Sequence, residues 1–243
     1  MNGDRHFLTW LALSTAVCLA QAASAASIAV DVGHYLAKPG VISARGVPEF
    51  EYNLRLAREV SAALQRAGHT VLLIGGDGLA EDLCKRATRA NGMDLFISIH
   101  HDSVQPRFFS AWEHEGETRP YSDHFSGFSL FVSRLNGHIG ASLKCASAIG
   151  AGLRQAGFAP SRYHADPIPG ENRPFADEAN SVHYFDNLAV LKTASIPALL
   201  FEAGVIVNRD EELRMRDPAV RQPMAGAIAA AVGACLERRG AGG

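Results

Sequence analysis

Long apolar runs are scarce in this 243-residue sequence. Beyond the N-terminus no stretch reaches the roughly 18 to 20 apolar residues that a transmembrane helix needs, so no membrane span is expected. Excess charge is missing too: 23 Lys and Arg against 25 Asp and Glu leave a formal net charge of −2. That balance supplies no pull toward nucleic acid or an anionic membrane surface, and neither is expected as a partner. A Gly-rich phosphate loop is absent, which argues against nucleotide binding, and so is the local HExxH metal signature. Cysteines are few and fall at no thiolate metal spacing. No internal repeat or linker breaks the chain, so one domain is expected.

Residues 1–25, MNGDRHFLTWLALSTAVCLAQAASA, begin with a short polar start carrying Arg5 and His6. An apolar stretch follows from Phe7 to about Ala20, then small residues ending Ala23-Ser24-Ala25. This is the layout of a secretory signal peptide cleaved after Ala25. The mature domain is therefore expected over 26–243, secreted across the inner membrane into the periplasm. Cys18 follows Val17 where a lipoprotein signal wants a small residue, which argues against a lipid anchor. For Cys84, Cys145 and Cys235 two expectations stand: one disulfide with one free thiol, or three small buried residues.

SIAVDV (27–32) and HTVLLI (69–74) are β-branched runs of strand length, and between them Glu49–Ala67 places Phe50, Leu54, Ala57, Val60 and Leu64 at helical spacing. A second helix is predicted over Ala80–Asn91, followed by the almost wholly apolar strand DLFISIH (94–100). GFSLFVS (127–133) and PALLFEAG (197–204) read as further strands, Ile139–Gln155 and Pro218–Arg238 as helices. Strands without polar alternation are buried on both faces. The predicted fold is α/β: a mostly parallel or mixed central sheet with helices on both faces. Residues 102–126, with WEHEGE inside, and 157–186 resist assignment, and loops this long are usually functional or disordered.

In such sheets the site lies outside the strand C-termini. There His34 follows SIAVDV, His100, His101 and Asp102 end DLFISI, Glu202 follows PALLF, and Glu49 opens the first helix. Two imidazoles and one carboxylate suit a catalytic zinc with one open position. A second carboxylate can move a proton from water to a leaving amine. His34, Glu49 and His100, with Glu202, fit those needs. Plainer roles compete: a histidine after a strand often serves a loop hydrogen bond, and Glu49 favours a helix N-terminus. Glu202 is hardest to explain away, because a carboxylate directly after Leu199-Leu200-Phe201 is costly to bury alone.

The stretches IAVDVGH (28–34), EFEYNLRLA (49–57), RANGMDLFISIHHDS (89–103) and NLAVLKTASIPALLFEAGVIVN (187–208) resemble the zinc-dependent N-acetylmuramoyl-L-alanine amidases of the bacterial cell wall, the amidase-3 type. The resemblance implies zinc held by His34, Glu49 and His100, with Glu202 in the catalytic glutamate position. It also implies peptidoglycan as substrate, a monomer, and a protein activator in those members whose cleft a helix blocks. Residues 157–186 are where such a helix is expected. Glu51 competes with Glu49, but the spacing to Leu54 selects Glu49, and the two point roughly 200° apart on a helix. Tyr35 and Leu36 depart from the family's two glycines, so this loop is expected to take its own path. Strand alternation puts His100 and His101 on opposite faces without saying which is the ligand. The family's Ser-Ile-His pattern chooses His100, leaving His101 as a supporting or substrate-facing residue or a strand-end hydrogen-bonder. Asn187 is expected either to shape the site or to serve a turn. WEHEGE is expected to be a solvated loop rather than a second metal site, and His164 and His183 are expected to be loop residues, with contact to substrate open for either. Two other outcomes stay open: a zinc peptidase or other amide hydrolase with the same centre, and a peptidoglycan-binding module without turnover.

Overall fold

Apolar runs without alternation end up in the middle of one sheet. The computed structural model describes residues 25–80 and 82–237. Except for Ala25, the predicted leader over 1–25 lies outside the described residues. The strands are β1 (Ser27–Val32), β2 (Thr70–Ile74), β3 (Leu95–Asp102), β4 (Ser110–His114), β5 (Glu117–Tyr121), β6 (Ser129–Val132), β7 (Phe175–Asp177), β8 (Val182–Tyr184) and β9 (Ala198–Val205). The helices are α1 (Glu49–Arg66), α2 (Leu83–Arg89), α3 (Ile139–Gln155), α4 (Ala189–Lys192), α5 (Arg209–Arg216) and α6 (Pro218–Leu236).

Seven strands form the main sheet in the order β2-β1-β3-β9-β6-β8-β7. β2, β1, β3 and β9 are parallel, and β6 reverses direction against β9. The sheet is mixed and covered on both faces, as expected. On one side Val30, Ile97, Ile99 and Leu199 pack with Leu56, Val60, Ile149 and Ile228 of α1, α3 and α6. On the other, Ala29, Phe96, Phe131 and Leu200 pack with Ala87 of α2 and Val190 and Leu191 of α4. Each fully buried side chain of this size contributes roughly 1.5–3 kcal/mol, which is why the strands carry so few polar residues.

Several expectations change. α1 buries Leu56 rather than Leu54. α2 starts only at Leu83, because Asp82 caps it by accepting from the backbone N–H of Cys84 (2.9 Å) and Lys85 (3.1 Å). α6 is, by length and composition, apolar enough to cross a membrane, against the expectation that no such segment follows the leader. Its packing on α1 and α3 accounts for that composition. WEHEGE is largely solvated, as expected, but is the tip of the β4–β5 hairpin rather than an irregular loop: Glu115 (φ 52°) and Gly116 (φ 80°) make the two-residue turn that needs positive φ at both positions. Trp112 anchors the hairpin by donating Nε1–H to Ala44 O (3.1 Å). In 157–186 the described residues hold no α-helix: a 3-10 turn (Tyr163–Ala165) leads to β7 and β8, which extend the sheet edge. The expectation of a blocking helix there is not met: the segment holds only that 3-10 turn and two three-residue strands, joined by turns and irregular chain.

Cys145 of α3 and Cys235 of α6 form a disulfide across 90 residues of sequence, and Cys84 is exposed and free. A cross-link closing so long a loop typically stabilises by about 2–5 kcal/mol. Reduction, or paired Cys145→Ala and Cys235→Ala substitution, is therefore expected to lower the urea midpoint without changing the fold, measured by circular dichroism with and without reductant.

Candidate active site

The parallel strands deliver their C-terminal ends to one edge of the sheet. In the register His100 of β3 lies opposite Glu202 of β9, and Glu202 opposite Ser129 of β6. Opposed residues share a face, so the three form a row across the sheet. Gly33 extends the row beyond β1: its N–H donates to Ile99 O (2.9 Å), and any Cβ there would overlap the His100 ring. Glycine is the one residue that lets that imidazole lie against the backbone.

His34 comes next, in the left-handed region at φ 66°. Its main chain is held by Arg86, whose guanidinium donates to the carbonyls of Val32 and His34 and to Asp31 Oδ1 (2.8 Å). Ser98 Oγ donates to Asp31 Oδ2 (2.7 Å). Asp31 and Arg86 are each 1% exposed. Burial pushes the Asp31 carboxyl above its usual value, opposed by the Arg86 charge and the Ser98 hydrogen bond. The loop beyond His34 closes through Tyr35 and Lys38 and donates Leu36 N–H to Gly78 O (2.9 Å).

Glu49 heads α1 and is 2% exposed. Its Oε2 lies 3.0 Å from His34 Nε2 and its Oε1 3.1 Å from His100 Nδ1. Asn53, one turn along α1, donates to Oε1 (2.9 Å), as does His101 N–H (3.3 Å), and Val41 N–H donates to Oε2 (3.2 Å). Burial alone would raise this carboxyl, but the hydrogen bonds from His100 and His34 outweigh it and hold it well below the usual range. One ligand atom from each of His34, Glu49 and His100 falls within 4.8 Å of the others. Glu51, by contrast, is exposed and paired with Arg55 (2.8 Å).

His101 points to the α1 face and sits behind Glu49. Burial pushes its pKa down to about 3, so the ring is neutral, and its Nδ1 lies 2.8 Å from Asn53 Oδ1, the acceptor of the pair. Glu202 is half-buried, and its Oε2 is buried with no hydrogen-bond partner. Burial first, then the charges of Asp102 and Glu49, raise it well above the usual carboxylate value. Beside the histidines opens a cleft of about 280 Å³, walled by Tyr35, Leu83, Leu188, Val190 and Leu200. Asn187 is exposed, one residue before Leu188.

Four polar residues of the site escaped the sequence reading. Asp31 and Ser98 break otherwise apolar strands, and Asn53 sits one turn after Glu49 on an apolar helix face; each is a signal of a buried, partnered group. Arg86 lay inside a predicted helix with nothing to mark it. His164 is in a 3-10 turn between strands, as a loop residue would be, but buried between Asp102 and Glu171, and His183 is not a loop residue but lies inside β8. Both sit against the sheet edge that the strands of 157–186 build.

An α/β sheet with two imidazoles, a bridging carboxylate and a second carboxylate at its C-terminal edge defines a class of hydrolase-like folds. The chain belongs to the N-acetylmuramoyl-L-alanine amidase family, whose model matches residues 28–234. It is thus an amidase, a hydrolase of carbon–nitrogen bonds other than peptide bonds, with peptidoglycan as the substrate class. No curated protein matches the chain. Among solved structures, it is similar to the N-acetylmuramyl-L-alanine amidase of Mycobacterium smegmatis, at 22% identity and a TM-score of 0.70 over 89% of this chain and 98% of that one. The amidase of Clostridium difficile 630 aligns at 18% identity and 0.68, over 89% and 99%. The CwlD amidase of Clostridioides difficile, solved in complex with the GerS lipoprotein, aligns at 18% identity and 0.64, over 87% and 98%.

Arg86→Met would leave Asp31 buried without its cation, an arrangement that costs about 3–5 kcal/mol. Urea unfolding is expected to show that loss, with part of it recovered when Asp31→Asn is added.

Proposed function

We propose that this amidase is exported and zinc-dependent, and that it cleaves the amide between the lactyl group of N-acetylmuramic acid and L-alanine of the stem peptide. The observation that carries the reading is the convergence of His34, Glu49 and His100 within 4.8 Å of one another, beside Glu202 on the same sheet face. Two imidazole nitrogens and one carboxylate oxygen fit the donor set of a catalytic zinc. Bound there, zinc would supply a Lewis acid for the scissile carbonyl and bring the pKa of a water toward 7.

Everything else is assigned to this chain's own side chains. Asn53 and the His101 amide hold Glu49 in place, Arg86 and Gly33 fix the paths of His34 and His100, and the apolar walls of the cleft exclude water around the scissile bond. Glu202 Oε2, which has no competing partner, takes a proton from the attacking water and delivers it to the departing alanine nitrogen. Family membership favours the muramoyl amide over a peptide bond, and the presence of all four site residues favours turnover over a binding module.

The leader over 1–25 supports export, as does the Cys145–Cys235 disulfide, a feature of oxidising compartments such as the periplasm. A protein activator remains part of the reading, prompted by the lipoprotein complex of the CwlD amidase. It would act without displacing a helix from 157–186.

Metal analysis of the purified mature chain and stem-peptide release from purified peptidoglycan test the reading. One zinc per chain and peptide release are expected, and His34→Ala should lose both. Glu202→Gln should keep zinc while kcat falls by at least about 10²–10⁴-fold, the usual worth of a general acid–base; unaltered turnover would sink its role. Asn53→Ala should weaken zinc binding by about 10–100-fold, the typical effect of removing a residue that orients a ligand.

A further inference from the structure

We infer that His164 is a positioning residue of the active site, acting through Asp102 to keep Glu202 the only uncompensated carboxylate at its end of the sheet; this rests on the amidase reading above. Asp102 lies two residues beyond His100 on β3, past a register shift that sets it opposite Val205, three residues beyond Glu202 on β9. Two half-buried carboxylates so near one another on neighbouring strands repel each other, and an unpaired Asp102 would compete for the cations that Glu202 meets.

That competition is removed by a chain of alternating charge. His164 Nε2 lies 2.7 Å from Asp102 Oδ2, its Nδ1 lies 2.9 Å from Glu171 Oε2, and Arg173 pairs with Glu171. The ring is packed by Tyr163 of its own turn, the edge of Phe131 from β6 (4.8 Å) and His183 from β8 (5.8 Å). Burial pushes His183 down to about 4, so it adds no charge. Burial also opposes charge on His164, but the carboxylates of Asp102 and Glu171 outweigh it and lift the pKa to about 9. At neutral pH the imidazolium therefore bridges two carboxylates, with both ring nitrogens donating.

His164 is not what keeps its segment in place. Gln105 N–H donates to Tyr163 Oη (2.8 Å), Gln105 Nε2 donates to Pro169 O (2.8 Å), and Val104, Tyr163, Val205 and Val207 form an apolar cluster beneath. Losing the imidazole leaves those fastenings intact, so its effect can be read apart from folding.

The test uses the full mature protein loaded with zinc. Stem-peptide release is measured for wild type, His164→Gln, His164→Lys, Asp102→Asn and the Asp102→Asn/His164→Gln double variant, with thermal unfolding of each. His164→Gln is expected to lower kcat about tenfold with KM within about twofold, and the double variant to regain most of it, a coupling of the size that contacting charged pairs show. His164→Lys, which keeps a cation opposite Asp102, should retain more activity than His164→Gln. In the wild type, nitrogen-detected NMR of the imidazole at pH 7.5 should show both ring nitrogens of His164 protonated. Wild-type kcat in His164→Gln, a double variant no faster than the single one, or a neutral His164 ring would each overturn the inference. A wild type that binds zinc but releases no stem peptide would instead overturn the amidase reading, and ring protonation would still judge the charge chain. If His164→Gln fails to fold, the double variant and the NMR measurement decide.

Discussion

A single buried carboxylate, Glu49 between His34 and His100, joins the ends of three elements that already pack on one another. His34 hangs from the end of β1, His100 closes β3, and Glu49 is the first residue of α1. An ionised group this deep is tolerated only when its oxygens are all engaged. Here two imidazoles, the Asn53 amide and two backbone N–H groups engage them. The first turn of α1 adds the favourable end of its dipole. The spacing of the three donors is thus set by how α1 lies across β1 and β3, and that in turn is set by Leu56, Val60 and the apolar faces of the strands. Core packing and site geometry are one problem in this protein.

Much of this was legible in the sequence, for identifiable reasons. DLFISIH, SIAVDV and PALLFEAG could be read as buried strands because nothing polar alternates in them, and their ends then had to supply the site. The choice of Glu49 over Glu51 came from the spacing of the family's acidic residue to Leu54, helical rotation adding only that the two could not face one metal together. What stayed hidden depends on chain segments far apart in sequence. The pairing of Arg86 with Asp31 spans 55 positions and that of His164 with Asp102 spans 62. No local pattern announces such partners. The strands of 157–186 were missed because three-residue edge strands carry too little periodicity to read, and the hairpin of WEHEGE because its tip is charged like a loop.

The polar residues around the site fall into two sets on either side of the donor cluster. Beneath it, Arg86 and Asp31 neutralise each other while their hydrogen bonds fix the main chain of His34. Beyond it, Asp102, His164, Glu171 and Arg173 alternate in sign. In each set charges are paired, which weakens what reaches the cleft from outside Glu49, its two histidines and Glu202, although Asp102 still acts on Glu202. Low dielectric makes that pairing matter, because an unpaired neighbour would act at several times its strength in water.

The reversal of β6 against β9 has a further result. Because β6 begins at the edge where β3 and β9 end, the hairpin of 110–121 and the turn around His164 both lie toward the sheet edge that carries the donors, while the disulfide-linked helices α3 and α6 lie together on one face of the sheet. The two are fastened differently: the hairpin hangs from Ala44 through Trp112, whereas the turns of 157–174 reach β3 itself through His164 and Asp102. The hairpin can therefore change in length or composition with less effect on the strand that carries His100 than the turns can.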